Sequence, residues 1–483
     1  MYKKFDCGDC FGMKNLYLYG SGNRCKILLK ILKDTRYHVC GILDTNSEKW
    51  DTTIEGIKVQ NPDVLYNKKD VYVCVTFYSS LIDDPIWKRL ETEYHIEQSH
   101  ILTFHNILYD IYRNKYAGLD KPAMQTRKAA LFDATWGLDL GGVETWLKDI
   151  IGYFQRYQNS DVYLLTKKNQ KKVPSEVEER IIEFYFENSS QFFEEDIYKG
   201  IEFIKQHAPC TLVFSRANEL LLAACICKER FPNLFTIIMV DHGLCDGMTK
   251  DILSYKEAID YYVCVGSGIR QTLVREGIEK EKTAVMTIPV KMQEKVERSY
   301  SINNNTPIQL GYAGRLEVFQ KRMDILIQLI LELEYRKVDY CFNIAGKGNF
   351  EQNIRQFVKE NQLDSKVTLY GQIENEKIAD FWKEQDVAIN VSDHEGRPIS
   401  NMEAMVYGAV PVVTDTVGIR DDVENGINGY IVPINDYHSM ADKIEYLDKH
   451  REILPVFGKK TQTDMREKMN IDDYMKFWLK IIE

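Results

Sequence analysis

The segment Ser392–Thr414, SDHEGRPISNMEAMVYGAVPVVT, constrains the fold more than any other part of the chain. Ahead of it, Asp386–Val391 (DVAINV) is an apolar run that reads as a buried strand. Gly396-Arg397-Pro398 then forms a turn, Pro398 suits the first turn of a helix, and Ser400–Met405 continue that helix. The next apolar run, VPVVT, reads as another strand. Strand, glycine turn, helix and strand in succession imply a parallel sheet flanked by helices, whose strand ends face a ligand crevice.

Two glutamates sit in this unit. Glu395 stands at the carboxyl end of the strand and Glu403 lies inside the helix. Free amides at a helix start point outward and favour negative charge, so a diphosphate fits there. Carboxylates accept hydrogen bonds and do not donate them. Beside an anion site they therefore suit hydroxyls, and a nucleotide sugar offers two sets, the ribose diol and the transferred sugar. The plain alternative is a pair of solvated surface charges.

Three comparable units precede this one: IQLGYAGRLEVFQKRMDILIQ from Ile308, CFNIAGKGNFEQNIRQF from Cys341 and VTLYGQIENEKIADFW from Val367. After the glutamates the chain runs on as VPVVTDTVGIRDDVENGINGYIVP. In the first unit a strand ends at Gly314, Arg315 follows, and Lys321 starts a helix with apolar Ile325, Leu326, Leu329 and Ile330. Taken in this order, the segments resemble the carboxyl-terminal domain of glycosyltransferase family 4, retaining enzymes of the GT-B fold. The resemblance implies that Arg315 and Lys321 clamp the diphosphate as it leaves, where cations are needed against the growing negative charge. The spacing is one residue longer than the commonest family pattern. The resemblance also implies that Glu403 takes the ribose hydroxyls and that Glu395 lies near the transferred sugar. Backbone amides of Gly396, Arg397, Pro398, Ile399, Ser400 and Asn401 are expected to cradle sugar and phosphate, and Gly371, Gln372 and Ile373 to meet the base. The family uses no conventional base on the acceptor, so none is assigned. No metal is expected, because two cations can neutralise the diphosphate and no Asp-x-Asp stands at a strand end.

The fold class implied is α/β: GT-B, two Rossmann-like lobes facing a cleft, preceded by a third small Rossmann-like domain. The first lobe is read from Lys128–Asp133 (KAALFD) and the loop ATWGLDLGGVET, with a helix beginning near Val143. Gly141 and Gly142 allow close backbone approach to a ligand. Strands follow at 162–166, 211–215, 235–240 and 262–265. His242, just beyond the fourth strand of the lobe, occupies the place where the family commonly has a histidine facing the donor sugar; a structural hydrogen-bonding role is its alternative. The stretch 291–307, charged and then rich in asparagine, reads as a linker. A final helix over 464–482, with Tyr474, Phe477, Trp478 and Ile481 on its apolar side, is a candidate to cross back onto the first lobe. Hinge motion between the lobes is expected to close the cleft.

A two-lobed enzyme needs about 350 to 400 residues, and this chain has 483. The surplus is amino-terminal: residues 1–120 form the accessory domain, 121–300 the acceptor-side lobe and 301–483 the donor lobe. NLYLY, GSGNRCKILLKIL and VCGILD read as strand, glycine loop with helix, and strand ending at Asp44. Cys25 stands where the third glycine of a dinucleotide fingerprint belongs, so the region is expected to serve packing or a protein partner ahead of a small nucleotide. A nicotinamide site at Gly20, Gly22 and Asp44 is the alternative.

The balance of 62 basic against 72 acidic residues argues against a nucleic-acid partner. No apolar run is long enough to span a bilayer and the amino terminus lacks a signal-peptide core, which points to a cytoplasmic protein. Lys167–Lys172 (KKNQKK) is a solvated loop or a peripheral contact with anionic lipid at the inner membrane face. Eleven cysteines, including Cys40, Cys74, Cys225, Cys264 and Cys341 within elements, read as reduced and buried, and the lone Cys7–Cys10 pair as neither zinc nor redox site. The function expected is transfer of a hexose from a UDP-sugar, or next a GDP-sugar, to a glycan or lipid-linked glycan in cell-surface polysaccharide synthesis. The alternatives are a catalytically degenerate scaffold of the same fold, or a same-fold epimerase or phosphorylase.

Overall fold

The computed structural model describes residues 12–77, 86–138, 141–157, 161–167, 173–186, 194–243, 246–293, 296, 298–303, 305–374 and 376–483. Cys7, Cys10 and the basic residues after Lys167 lie outside them. The chain divides into two compact units, Met1–Leu131 with Tyr185–Ile237 and Cys245–Asp260, and Phe132–Phe184 with Ile238–Leu244 and Tyr261–Glu483.

The first unit opens with a sheet of β1 (Lys14–Tyr19), β2 (Tyr37–Leu43), β3 (Thr53–Ile54), β4 (Ile57–Gln60), β5 (Tyr72–Val75) and β6 (Ile101–Thr103), in the order β3-β4-β2-β1-β5-β6. All neighbours are parallel except the edge pair β3–β4. Leu16 to Tyr19 of β1 are all buried, as a central parallel strand covered on both faces requires. Gly20 takes a φ of 105°, and a Cβ there would fall 2.7 Å from the Phe77 ring. Cys25, at the place due for a third glycine, is fully buried. The Asp44 carboxylate accepts from Ser21 Oγ, Lys49 Nζ (2.9 Å) and the Asn46 amide (3.0 Å). Burial opposes ionisation of Asp44, yet these hydrogen bonds hold its carboxyl below the usual range.

The remaining strands are β7 (Ala129–Asp133), β8 (Val162–Thr166), β9 (Ile181–Glu183), β10 (Cys210–Phe214), β11 (Phe235–Asp241), β12 (Tyr261–Cys264), β13 (Thr283–Val285), β14 (Ile308–Ala313), β15 (Tyr340–Ala345), β16 (Val367–Gly371), β17 (Val387–Asn390), β18 (Val410–Thr414) and β19 (Tyr430–Val432). Within the second unit β8 pairs β9, and β12 pairs both β11 and β13, all in parallel. The last six strands make a parallel sheet in the order β16-β15-β14-β17-β18-β19. Counted from β14, that is the doubly wound order whose direction reverses between the first and fourth strands. The crevice outside the carboxyl ends of β14 and β17 is thus fixed by topology, and Arg315 and Glu395 follow those two ends. Beneath it, Leu310, Tyr312, Leu326, Leu329 and Val387 belong to one buried cluster.

Three expectations change. The helix after β14 is Met323–Arg336, not one begun by Lys321. Arg322 holds a left-handed φ of 50° as its cap, fixed by Asp324 (2.9 Å) and Asp393 (2.8 Å), and Lys321 stays on the loop. The final helical stretch breaks in two, Ile453–Lys468 and Ile471–Ile482, where the Asn470 side chain caps the second by accepting from the Asp473 amide at 3.1 Å. That helix buries Tyr474, Met475, Trp478 and Ile482, so Phe477 and Ile481 flank its apolar face. Trp478 packs at a tilt against the rings of Phe132 and Trp146, and Trp146 Nε1 donates to Tyr474 Oη at 2.7 Å.

The segment read as a linker is largely packed. The Arg298 side chain is 3% exposed. Its guanidinium donates to the carbonyls of Trp382 (3.2 Å), Tyr407 (3.0 Å) and Gln385. These end the helices Ile378–Lys383 and Ile399–Val406, where backbone carbonyls want a cation. Tyr300 Oη donates to Gly408 O at 3.1 Å, and the Ser301 amide to Asp386 Oδ1 at 3.0 Å. Cys74, Cys225 and Cys264 are buried free thiols, whereas Cys40 and Cys341 are half-buried.

Candidate active site

At the switch point the Lys321 ammonium meets the Glu395 carboxylate directly, with side chains 14% and 8% exposed. Glu395 Oε1 also accepts from Ser392 Oγ at 2.8 Å. Arg315 stands on the rim, its side chain 54% exposed, 3.0 Å from Glu317. Between the two cations lies Gln320, which sequence reasoning missed. It accepts from Arg315 at 2.7 Å and donates to the His394 carbonyl at 3.0 Å, tying the cation loop to the glutamate loop. No local pattern marks it; only its place between Arg315 and Lys321 hints at the role.

The turn after β17 is a backbone junction. A Cβ on Gly396 would lie 1.9 Å from the His242 carbonyl oxygen, and one on Gly418 would lie 1.4 Å from Gly396 O. Gly243 has a φ of 78° and abuts Gly396. His242 itself rests edge-on against Trp146, ring centroids 5.0 Å apart. Gly396→Ala is therefore expected to cost about 1–3 kcal/mol of stability as an overpacked site, measured by denaturant unfolding. Wild-type stability in that variant would mean the contact is not kept in solution.

Pro398, with extended ψ, caps the helix Ile399–Val406 from outside its first turn. It has no N–H, and the Asn401 amide closes on the Pro398 carbonyl at 3.1 Å. Of the expected cradle, Gly396, Arg397, Ile399 and Ser400 remain as amides for an anion. The Arg397 guanidinium points elsewhere: it is buried on Asp422 (2.8 Å), Thr287 Oγ1 (2.7 Å) and Val265 O (3.1 Å). Asn401 accepts from Asn390 at 3.3 Å.

Glu403 lines a cavity of about 200 Å³ shared with Thr145, Asp149, Lys291 and Ile399. Burial, then the nearby Asp149 charge, push its carboxyl up to about 7 against the pull of Lys291. Gly142 approaches this wall, since a Cβ there would stand 3.3 Å from Ile399. At Gly141 the equivalent space is taken by the Glu144 carboxylate, which accepts from Trp136 Nε1 at 2.8 Å. Gly371 has a φ of 67° and accepts from the Gly346 amide at 2.7 Å; Gln372 is exposed and Ile373 half-buried. Among the described residues, no cluster of three or more His, Cys, Asp or Glu could hold a metal ion, and no helix is long and apolar enough to cross a membrane.

A doubly wound sheet with cations off its first strand and an acid off its fourth is an α/β architecture. Residues 293–467 match the family model described as Glycosyl transferases group 1. The chain is 27% identical over 213 residues to a poly(ribitol-phosphate) alpha-N-acetylglucosaminyltransferase of Staphylococcus aureus, covering 41% of this chain and 42% of that protein. It is 24% identical over 306 residues to a lipopolysaccharide 1,6-galactosyltransferase of Salmonella typhimurium, covering 60% and 81%. The chain thus spans less than half the length of the first curated relatives it matches. Among solved structures, a lipopolysaccharide outer core galactosyltransferase is similar at a TM-score of 0.56 and 19% identity, covering 71% of this chain and 100% of that one. The pneumococcal O-GlcNAc transferase GtfA with UDP and GlcNAc is similar at 0.61 and 12%, covering 74% and 99%. The fold is GT-B.

Proposed function

We propose that this chain is a retaining glycosyltransferase, of the family 4 type, that moves a hexose from a nucleoside diphosphate sugar onto a glycan or lipid-linked glycan in cell-surface polysaccharide synthesis. The observation that carries the reading is the junction of Lys321 with Glu395 at the switch point, beside Arg315 and the helix start after β17. Cleaving the anomeric bond leaves another negative charge on the diphosphate, and Arg315 with Lys321 compensates it without a metal. Glu395 accepts from the sugar, His242 faces it from the loop after β11, and Glu403 accepts from the ribose. Retention follows a front-side route in which a donor phosphate oxygen takes the acceptor proton.

A UDP-sugar is the donor favoured, in keeping with the UDP and GlcNAc held by the pneumococcal structure, and a GDP-sugar is next. The acceptor class follows the names of the relatives, a poly(ribitol-phosphate) and a lipopolysaccharide glycosyltransferase. Residues 1–120 form an accessory domain for packing or a protein partner, since the acceptors of Asp44 are already engaged. The protein works in the cytoplasm, with peripheral contact at the inner membrane face as the alternative. A panel of UDP, GDP, ADP and dTDP, scored by melting temperature, is expected to single out one nucleotide. NMR of the product then reads the anomeric configuration. No shift with any nucleotide, or an inverted product, would refute the corresponding part of the reading.

A further inference from the structure

Besides Glu403, two further carboxylates line the cavity, Asp149 and the exposed Glu376, and no resemblance assigns either. Thr145 and Asp149 lie one turn apart on the helix Gly142–Arg156 and line the same cavity. Asp149 is 3.7 Å from the Lys291 ammonium, longer than a good hydrogen bond, and the Lys291 side chain is 71% exposed. Val290 and Ile399 supply apolar wall. When ionised, the Asp149 and Glu403 carboxylates are acceptor-only, and turning both into one cavity is costly unless a ligand brings donors. A phosphate would be repelled here, whereas a vicinal diol offers two hydroxyls to two carboxylates.

We propose that Asp149 is a specificity-determining residue that, with Glu403, brackets the ribose diol, so that the site takes ribonucleotides and discriminates against their 2′-deoxy counterparts. This rests on the nucleotide-sugar reading above. A site that hydrogen-bonds a hydroxyl rejects the analogue lacking it, because its own buried acceptor is left unpaired. Thr145 is placed to add a hydroxyl on the same side.

The test is calorimetric titration of the full chain with whichever of UDP, GDP or ADP binds, against its 2′-deoxy form. Wild type is expected to prefer the ribonucleotide by at least about 10-fold, the scale of a hydrogen bond to a charged group. In Asp149→Ala the preference is expected to shrink to about 3-fold or less, with Asp149→Asn intermediate. Should the alanine variant not fold, the asparagine variant carries the comparison. An unchanged ratio in the Asp149 variants would overturn this assignment alone, and no preference in wild type would overturn it together with the ribose contact of Glu403. Failure of UDP, GDP, ADP and dTDP alike to bind would instead overturn the glycosyltransferase reading and this inference with it, whereas binding of dTDP alone, itself a 2′-deoxy nucleotide, would overturn this inference and leave that reading standing.

Discussion

Lys321→Ala is expected to lower sugar transfer by about 100- to 1000-fold, the scale of removing one group that stabilises charge in the transition state. The same loss is expected for Arg315→Ala, but the two variants should differ in stability. Lys321 and Glu395 form a shielded ion pair, and deleting the ammonium leaves a carboxylate that is 7% exposed without its counter-charge. Breaking such a pair costs roughly 3–5 kcal/mol. Arg315 is half exposed on the rim and held by Glu317 and Gln320, so its removal should leave the melting temperature nearly unchanged. Lys321→Ala with Glu395→Gln should recover much of the stability and none of the transfer. The measurements are initial rates with the donor identified by the nucleotide panel, alongside denaturant unfolding. Near-normal turnover in either single variant would contradict the assignment of the clamp.

Glu403→Gln is expected to stabilise the ligand-free protein at pH 8 and to do little at pH 5. The carboxyl is raised from 4.5 to about 7, first by burial and then by Asp149. Between those values the unfolded chain has released the proton while the folded chain still holds it. Stability therefore falls as pH rises through that window, and the full penalty stands above 7. A shift of this size corresponds to a penalty on the order of 3 kcal/mol. Glutamine keeps the shape and removes the charge, so the difference in melting temperature between variant and wild type should widen from pH 5 to pH 8. An equal difference at both values would show that the carboxylate is ionised throughout. Nucleotide affinity of the wild type should move the opposite way, strengthening above pH 7, because ribose hydroxyls donate better to a carboxylate than to a carboxylic acid.

Strand β17, the turn after it and the helix bearing Glu403 are readable from sequence because they are local: an apolar run, a Gly-Arg-Pro turn and a helical stretch lie within one segment. Arg315 falls at the crevice for the same reason, as the residue after a strand and its glycine. Partners brought from afar are not readable. Lys321 and Glu395 are 74 positions apart, and their contact depends on β14 and β17 being neighbours, which no periodicity states. Gln320 and Asp149 escape notice because a polar residue on a loop or helix declares its partner only when the chain folds. Polar composition misleads at 291–307, read as a linker, where the Arg298 guanidinium is a buried cap on two helices. The break at Asn470 is hidden because apolar spacing continues across it.

The buried guanidinium of Arg298 has a consequence for the cavity at Glu403. The helices whose last carbonyls it gathers begin at Ile378 and Ile399, and both of those residues line that cavity. A stretch of chain that looks like slack rope is in fact a rivet at the back of the cavity wall. Altering it should register as changed grip on the nucleotide before it registers as changed reach between lobes.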